Sequence, residues 1–215
     1  MITVKSFVFN PFSENTYVVS DETRKALVID PGCYEPHEKK ELDTYIAKEQ
    51  LEIAYLLNTH CHIDHVLGND HVKSKYDPPF LIHKNEVPVL KAVSSYASNY
   101  GFAKYQEVLP DGFLSEKDKL EWGKSKFEIL FLPGHAPGHV GFYNAEEKIL
   151  ISGDVLFERS IGRTDLPGGD MDTLIESIQK KLFKLPDDSV VYTGHGNETT
   201  IGVEKISNPF CAISN

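Results

Sequence analysis

Residues 53–65 of the 215-residue chain read IAYLLNTHCHIDH, and this stretch decides how the sequence is interpreted. The apolar run IAYLLNT predicts a buried strand. It ends directly in four side chains that can bind a metal: His60, His62, Asp64 and His65. Side chains alternate along an extended segment, so His60 and His62 point to the same side. We expect Asp64 and His65 to lie where the strand turns into a helix, and to face a second point nearby. The stretch therefore predicts two donors for each of two adjacent cations.

Three further donors follow apolar runs in the second half of the chain: His135 in FLPGHAPGH, Asp154 in ISGDVLF and His195 in YTGHGN. Each is expected at a sheet edge, where loops build sites, and each follows a glycine that lets the backbone come close to an ion. A carboxylate such as Asp154 can bridge two cations with its two oxygens. Imidazole and carboxylate suit zinc, iron or manganese. Seven donors for two ions leave a position for a water, as catalytic sites do.

The rest of the chain predicts strands and helices in two similar halves. Expected strands are Thr3–Phe9, Thr16–Ser20, Ala26–Ile29, 53–59, Phe80–His83, Phe127–Leu132, Val140–Asn144, Lys148–Ser152 and Ser189–Thr193. Expected helices are Glu35–Gln50, Val66–Lys75, Lys84–Tyr96 and Asp172–Phe183. Two sets of strands with helices between them fit an α/β (α+β) protein with two sheets packed face to face and helices outside. With no linker or repeat of fixed period, residues 1–215 are predicted to form one domain.

Composition and charge limit the binding partners and the cellular compartment that are expected for this chain. The net charge of −10 disfavours nucleic acid, which selects a basic face, and an anionic membrane surface. Cys33, Cys61 and Cys211 are widely spaced and form no disulfide framework, which favours a reducing compartment. The N-terminus has no apolar signal core, so the cytoplasm is the expected location. Cys61 lies between metal donors, but alternation turns it away from them, and we interpret it as a buried structural thiol.

These motifs resemble those of the metallo-β-lactamase superfamily, whose HxHxDH motif is read at residues 60–65. The resemblance implies a four-layer αββα sandwich with two mixed sheets. It also implies a ligand set for each metal: His60, His62 and His135 for the first, Asp64, His65 and His195 for the second, and Asp154 as the bridge. His139 matches the second histidine of the family's GHxxGH stretch, a structural position, and is left out of the ligand set.

Two long stretches are most similar to the glyoxalase II-like branch, in particular its short single-domain members. They are SGDVLFERSIGRTDLPGGD at 152–170 and TGHGNETTIGVEKISNPF at 193–210. The resemblance implies a hydroxyacylglutathione hydrolase-like enzyme that cleaves acyl thioesters such as S-lactoylglutathione with a metal-bound hydroxide. Asp64 then orients the hydroxide as well as binding metal. Zinc is the expected metal, with iron or manganese as alternatives.

Two departures from that branch bear on the substrate. Only 20 residues follow His195, too few for the C-terminal helical domain that helps full-length glyoxalase II bind glutathione. Asp165 and Asn197 stand where the branch has substrate-contacting tyrosines. Arg163 matches the basic residue that meets the glycine carboxylate of glutathione; its alternative is a solvated loop arginine. The expected substrate is therefore a small thioester, bound weakly if it contains glutathione, or another acyl thioester.

Four alternatives remain open beside the hydrolase. Persulfide dioxygenases share the fold, the HxHxDH motif and a GRTD stretch like Gly162–Asp165, but use one iron held by residues matching His60, His135 and Asp154. A β-lactamase is disfavoured because such enzymes carry something other than a bridging carboxylate at the Asp154 position. An RNA-processing nuclease is disfavoured by the acidic charge and by the lack of an inserted nucleic-acid arm. A non-catalytic metal-binding module is disfavoured because all seven donors are retained.

Overall fold

The computed structural model describes residues 1–213 and divides the chain into two compact units. The first comprises Met1–Leu114 and Glu121–Lys126; the second comprises Ser115–Leu120 and the chain from Phe127 onward. Each unit has a hydrophobic core of its own. That residues 1–215 form a single domain stays a prediction.

The first unit is built on a six-stranded mixed sheet. In sheet order its strands are β1 (Ile2–Phe9), β2 (Glu14–Asp21), β3 (Lys25–Ile29), β4 (Glu52–Leu57), β5 (Phe80–His83) and β6 (Gly112–Leu114). Strands β1 to β3 pair antiparallel and β3 to β6 pair parallel. Its helices are α1 (Pro36–Lys48), α2 (Ile63–Val66), α3 (Asn69–Tyr76) and α4 (Val87–Tyr96), with 3-10 turns at Lys84–Glu86 and Ala97–Tyr100. The helices supply the crossovers that parallel strands require.

Burial along β1 and β2 agrees with their positions in the first sheet. Strand β2 is buried along its whole length, as expected for a strand inside a sheet that is covered on both faces. Strand β1 lies at the sheet edge and buries only part of its length, with Phe7 and Phe9 entering the core. Leu42 of α1 and Leu56 of β4 are fully buried in the same core. The end of β4 is thereby held firmly where the metal-binding motif begins.

The second mixed sheet belongs to the second unit, except for its residues within Glu121–Lys126, which belong to the first unit. Its strands in chain order are β7 (Lys119–Trp122), β8 (Ser125–Phe131), β9 (Val140–Asn144), β10 (Ile149–Gly153), β13 (Val190–Thr193) and β14 (Thr199–Thr200), with a separate hairpin of β11 (Leu156–Phe157) and β12 (Ser160–Ile161). The sheet order is β14-β13-β10-β9-β8-β7. Strands β10 and β13 pair parallel, whereas β8–β9, β9–β10 and β13–β14 pair antiparallel. The helices are α5 (Met171–Lys180) and α6 (Ile201–Ser207), with a 3-10 turn at Leu182–Lys184.

Helix α5 provides the crossover between the parallel strands β10 and β13. Its N-cap is Asp170, whose Oδ1 accepts a hydrogen bond from the Thr173 N–H at 2.8 Å. Its apolar stripe, Leu174 and Ile178, is fully buried in the core of the second unit together with Leu150. The ends of β10 and β13, where two predicted metal donors follow, are fixed by this packing.

The predicted fold class is confirmed: the chain is mixed α/β, with two mixed sheets and helices. The predicted helix Val66–Lys75 is wrong in detail, because the structure has α2 and α3 on either side of Leu67 and Gly68. Gly68 donates its N–H to the Pro31 carbonyl at 2.7 Å, and a Cβ on it would lie 2.6 Å from Cys33 Sγ. This close approach breaks the helix. Within residues 1–213, every helix is too short or too polar to cross a membrane.

Candidate metal centre

The metal-binding motif of the first unit follows β4 as predicted, on a buried loop that leads into α2. The imidazole rings of His60 and His62 lie 4.7 Å apart, and those of His60 and His65 lie 4.1 Å apart. His65 Nε2 lies 3.6 Å from Asp64 Oδ2. The first unit therefore brings its four predicted donors together. His60 and His65 are fully buried, whereas His62 and Asp64 are half-buried.

Asp30 follows β3 directly, and its carboxylate orients this loop through contacts with Thr59 and His65. Its Oδ1 accepts the Thr59 N–H at 2.7 Å and its Oδ2 accepts the Thr59 hydroxyl at 2.6 Å. The same Oδ2 lies 3.2 Å from His65 Nδ1. Metal-binding histidines commonly donate their second ring N–H to a carboxylate, which fixes the tautomer and the ring. Asp30, His60 and His65 offer ligand atoms within 4.8 Å of one another, but Asp30 is already engaged in orienting Thr59 and His65.

Glu14, the first residue of β2, is a second buried carboxylate behind His65. Its Oε2 accepts the Thr16 hydroxyl at 2.9 Å, and its Oε1 lies 3.9 Å from His65 Nδ1. Burial raises the pKa of Glu14 well above its ordinary range; the nearby His65 opposes the shift and Asp30 adds to it. Sequence reasoning missed both carboxylates. The available signals were an acid opening the buried run ENTYVVS and an acid closing the strand ALVID.

The second unit presents its three predicted donors around one carboxylate. Asp154 follows β10, His195 follows β13, and His135 lies in the loop between β8 and β9. Asp154 Oδ2 lies 3.5 Å from His135 Nε2 and 3.5 Å from His195 Nε2. One carboxylate oxygen thus stands between two imidazole nitrogens. Such separations suit groups that share a cation rather than groups that bond directly to one another.

Two neighbours hold these donors in place. His135 Nδ1 lies 2.7 Å from the Arg163 carbonyl, which makes Nδ1 the protonated nitrogen and leaves Nε2 toward Asp154. The Asp154 N–H donates to His139 Nε2 at 3.1 Å. His139 is fully buried and uses that nitrogen to support Asp154, in keeping with its exclusion from the predicted ligand set.

Arg163, the predicted substrate anchor, lies in the loop after β12. Its Nε and Nη2 donate to the two carboxylate oxygens of Asp165, each at 2.7 Å. This hydrogen bonding by Arg163 lowers the pKa of Asp165 to about 2, so the carboxylate is ionised at any working pH. Both side chains are exposed to solvent.

Both donor sets fit a divalent metal. Each combines imidazole nitrogen with carboxylate oxygen, the ligands that zinc, iron and manganese accept. In each unit a histidine predicted as a ligand, His65 or His135, is oriented through Nδ1 by an oxygen on a neighbouring residue. That arrangement is typical of metal-binding histidines and leaves Nε2 for the ion.

Comparison with known proteins identifies the family. The profile described as "Metallo-beta-lactamase superfamily" matches residues 9–195. The chain belongs to the metallo-β-lactamase superfamily. It is 39% identical over 201 residues to a hydroxyacylglutathione hydrolase, GloC, of Haemophilus influenzae, with 93% of each chain covered. Membership of this superfamily implies divalent metal ions and a metal-dependent hydrolase.

Two solved structures support the same fold. The chain is similar to the BLEG-1 B3 metallo-β-lactamase, with a TM-score of 0.88, 36% identity, and 97% of this chain and 99% of that chain covered. It is also similar to TTHA1623, solved in a di-iron-bound form, with a TM-score of 0.86, 37% identity, and 96% of this chain and 100% of that chain covered. The predicted metallo-β-lactamase fold is confirmed.

Proposed function

We propose that the protein is a dinuclear metal-dependent thioester hydrolase of the glyoxalase II-like type, acting on acyl thioesters such as S-lactoylglutathione. The observation that carries the proposal is the position of Asp154 Oδ2, 3.5 Å from the Nε2 atoms of both His135 and His195. A carboxylate that two histidines flank in this way can bridge two ions. The 39% identity to a protein named hydroxyacylglutathione hydrolase supports the reaction class.

The proposed ligands divide as the family resemblance implies. They are His60, His62 and His135 for one ion, Asp64, His65 and His195 for the other, and Asp154 between them. When bound, the two ions supply a hydroxide at neutral pH and polarise the substrate carbonyl. Asp64 would be the catalytic residue, since it would orient this nucleophile as well as hold an ion. Asp30 and the Arg163 carbonyl keep His65 and His135 in the tautomer that binds metal.

The proposal is tested by metal analysis together with turnover. The protein as purified should contain close to two divalent ions, zinc first and iron or manganese as alternatives, and should hydrolyse S-lactoylglutathione. Asp154→Asn removes the bridging charge but keeps the backbone N–H that His139 accepts, so both ions should be weakened and turnover should fall by at least about 100-fold. His195→Ala should weaken mainly one ion.

A matched control is Asp172→Asn, which removes the same charge from the exposed first turn of α5. It should keep both ions and full turnover. Full metal content and full turnover in Asp154→Asn would exclude the bridging role. A protein that takes up no metal on titration would exclude the whole proposal.

A persulfide dioxygenase is the second candidate, because the chain carries the GRTD stretch of such enzymes at Gly162–Asp165 and a similar protein, TTHA1623, was solved with iron rather than zinc. One tightly bound iron with oxygen consumption on glutathione persulfide would favour it over the hydrolase. A chromogenic cephalosporin belongs in the same assay series because of the similarity to BLEG-1; rapid cleavage would assign a β-lactamase instead.

The proposal also covers the class of substrate and the cellular compartment of the enzyme. The net charge of −10 favours a small-molecule substrate over nucleic acid or an anionic membrane. All three cysteines are free thiols, which supports a reducing compartment and hence the cytoplasm.

A further inference from the structure

A carboxylate outside the predicted ligand set, that of Glu86, lies against the backbone of the metal-binding motif. Its Oε2 accepts the Cys61 N–H at 2.8 Å. Both residues are fully buried, and glutamate is almost never fully buried unless a partner compensates for the lost water. Cys61 stands between the predicted ligands His60 and His62, so this hydrogen bond is made at the centre of the motif.

The first sheet explains how Glu86 reaches this position. Strands β4 and β5 are parallel neighbours in which Leu57 pairs with Leu81, and the Asn58 N–H donates to the Leu81 carbonyl at 3.4 Å. Parallel neighbours end at the same edge of a sheet. The loop that follows β4 therefore runs beside the 3-10 turn Lys84–Glu86 that follows β5, and strand pairing brings Glu86 to the motif.

Local structure holds the Glu86 backbone in place. At the start of the turn, His83 Nδ1 accepts the Asn85 N–H at 3.3 Å. Helix α4 follows Glu86 directly, and its Leu90 and Val93 side chains are fully buried in the core of the first unit. Because this packing fixes the helix, the Glu86 side chain offers its acceptor oxygen from a rigid support.

The motif is held from both strands that flank β4 in the sheet, β3 and β5. Asp30 follows β3 and accepts the Thr59 N–H at 2.7 Å, whereas Glu86 follows β5 and accepts the Cys61 N–H. The Cys61 thiol stays protonated, because burial raises its pKa well above the ordinary value and the nearby Glu86 adds to the shift. What Glu86 fixes is therefore the backbone, and with it the histidines on either side.

We propose that Glu86 is a positioning residue of the metal centre, which fixes the His60 and His62 imidazoles by accepting the Cys61 N–H between them. The inference rests on the ligand set of the proposed function but not on the identity of the substrate. Metal-binding side chains must be held within about 0.5 Å of their working geometry. Without Glu86 the Cys61 N–H would have to move toward another acceptor, because an unpaired buried N–H is costly, and both histidines would move with it.

Glu86→Met and Glu86→Gln separate the hydrogen bond from the volume of the side chain. Both substitutions keep a side chain of similar length, but only glutamine keeps an oxygen that accepts the Cys61 N–H. The affinity for zinc is measured on the metal-free protein by competition with a chromophoric chelator. Glu86→Met should bind zinc about 10- to 100-fold more weakly than the wild type. Glu86→Gln should recover at least about half of that loss on a logarithmic scale, because a neutral hydrogen bond has roughly half the strength of a charge-assisted one.

Asp21→Leu is the matched control in the same unit. Asp21 is also buried, and it accepts the N–H groups of Thr23 and Lys124 at 2.9 and 2.6 Å. It ends β2, whereas Glu14, the carboxylate beside the motif, begins that strand. Asp21→Leu should lower the urea midpoint of the metal-free protein, as Glu86→Met does, but should leave the affinity for zinc unchanged.

Cobalt(II) absorption reports the geometry of the bound ion independently of its affinity. The visible spectrum of the cobalt-loaded protein should change in Glu86→Met and stay that of the wild type in Asp21→Leu. If Glu86→Met does not fold, Glu86→Asp replaces it: the carboxylate is one methylene shorter and withdraws from the Cys61 N–H, so the affinity should fall although the charge is kept. Wild-type affinity for zinc in the variant that folds, or equal losses in Glu86→Gln and Glu86→Met, would overturn the proposal.

These measurements keep the role of Glu86 apart from the proposed function, because zinc affinity and the cobalt spectrum require no substrate. A wild-type protein that binds zinc but cleaves no thioester would refute the hydrolase. The comparison of Glu86→Met with Glu86→Gln would then still decide whether Glu86 positions the metal-binding motif.

Discussion

Gly32 shows how closely the first unit is packed behind its metal-binding motif. A Cβ at this position would lie 2.0 Å from Glu14 Oε2, 2.5 Å from Asn10 Nδ2 and 2.7 Å from the Asp64 carbonyl oxygen. The Gly32 N–H donates to the Thr16 hydroxyl at 2.8 Å, and that hydroxyl donates to Glu14. Because Gly32 has no side chain, the Glu14 carboxylate and the Asn10 side chain can both pack close to the Asp64 backbone.

From this packing we predict that Gly32→Ala destabilises the fold by about 1–3 kcal/mol, the usual cost of overpacking, and weakens metal binding because Asp64 must move. Gly101→Ala is the matched control. Gly101 has a φ of +91° and no described atom within 4 Å of an added Cβ. The Gly101→Ala substitution should therefore lower stability only through backbone strain, by about 1 kcal/mol. Urea unfolding and metal titration measure both effects. Equal losses of stability with unchanged metal affinity in the two variants would refute the prediction.

The sequence predicted the donors because their chemistry is visible in the residue types and their spacing after apolar runs. Glu14 and Asp30 were missed, although Asp30 also follows an apolar run, ALVI. A carboxylate behind a ligand has no spacing of its own, and Asp30 in front of Pro31-Gly32 has the composition of an ordinary turn. The structure gives Asp30 a positive φ of 50°, a conformation that Asp adopts more readily than most residues and that is common in turns.

Elements with strong patterns were predicted well from the sequence. Strands Phe80–His83 and Val140–Asn144 are confirmed with the predicted bounds, since β-branched and aromatic runs bounded by polar residues identify strands. Strands β6, β7, β11, β12 and β14 were missed. They have only two to four residues, too few to show a clear periodic pattern, and they form through pairing with neighbours.

At the scale of elements, the start of α1 depends on one buried carboxylate. Glu38 Oε1 accepts the Asn10 N–H at 2.6 Å, and Oε2 accepts the N–H groups of Tyr34 and Glu35 at 2.7 and 2.8 Å. Glu38 thereby joins the turn after β1 to the first turn of the helix. Asn10 in turn donates from Nδ2 to the Asp64 carbonyl at 3.1 Å, which carries this support to the metal-binding motif.

We predict that Glu38→Ala lowers the free energy of unfolding by about 3 kcal/mol or more, because it leaves three backbone donors without their buried acceptor. Glu38→Gln keeps one acceptor oxygen and should fall between this variant and the wild type. Glu41→Ala, on the exposed side of the same helix, is the control and should change stability by less than about 0.5 kcal/mol. Urea denaturation followed by circular dichroism measures all three. A Glu38→Ala protein as stable as Glu41→Ala would show that the three bonds contribute little.

At the scale of the whole molecule, the open question is whether the two compact units unfold together. Each has its own core, with Cys33 in the first and Cys211 in the second. The strands β7 and β8 contain residues of both units, since the boundaries fall after Leu120 and after Lys126. We expect the hydrogen-bond ladder of so short a strand to form and break as one cooperative unit.

Because of this shared backbone we predict a single unfolding transition, reported equally by two buried thiols. Cys33 is 0% and Cys211 is 2% exposed, and burial raises the pKa of each thiol to about 12, so neither should react with iodoacetamide in the native protein. Alkylation of metal-loaded protein along a urea series, read peptide by peptide by mass spectrometry, gives one midpoint for each unit. Coincident midpoints would support the single domain predicted for residues 1–215. Labelling of Cys211 at a clearly lower urea concentration than Cys33 would show that the second unit opens alone, and the chain would then have to be treated as two domains.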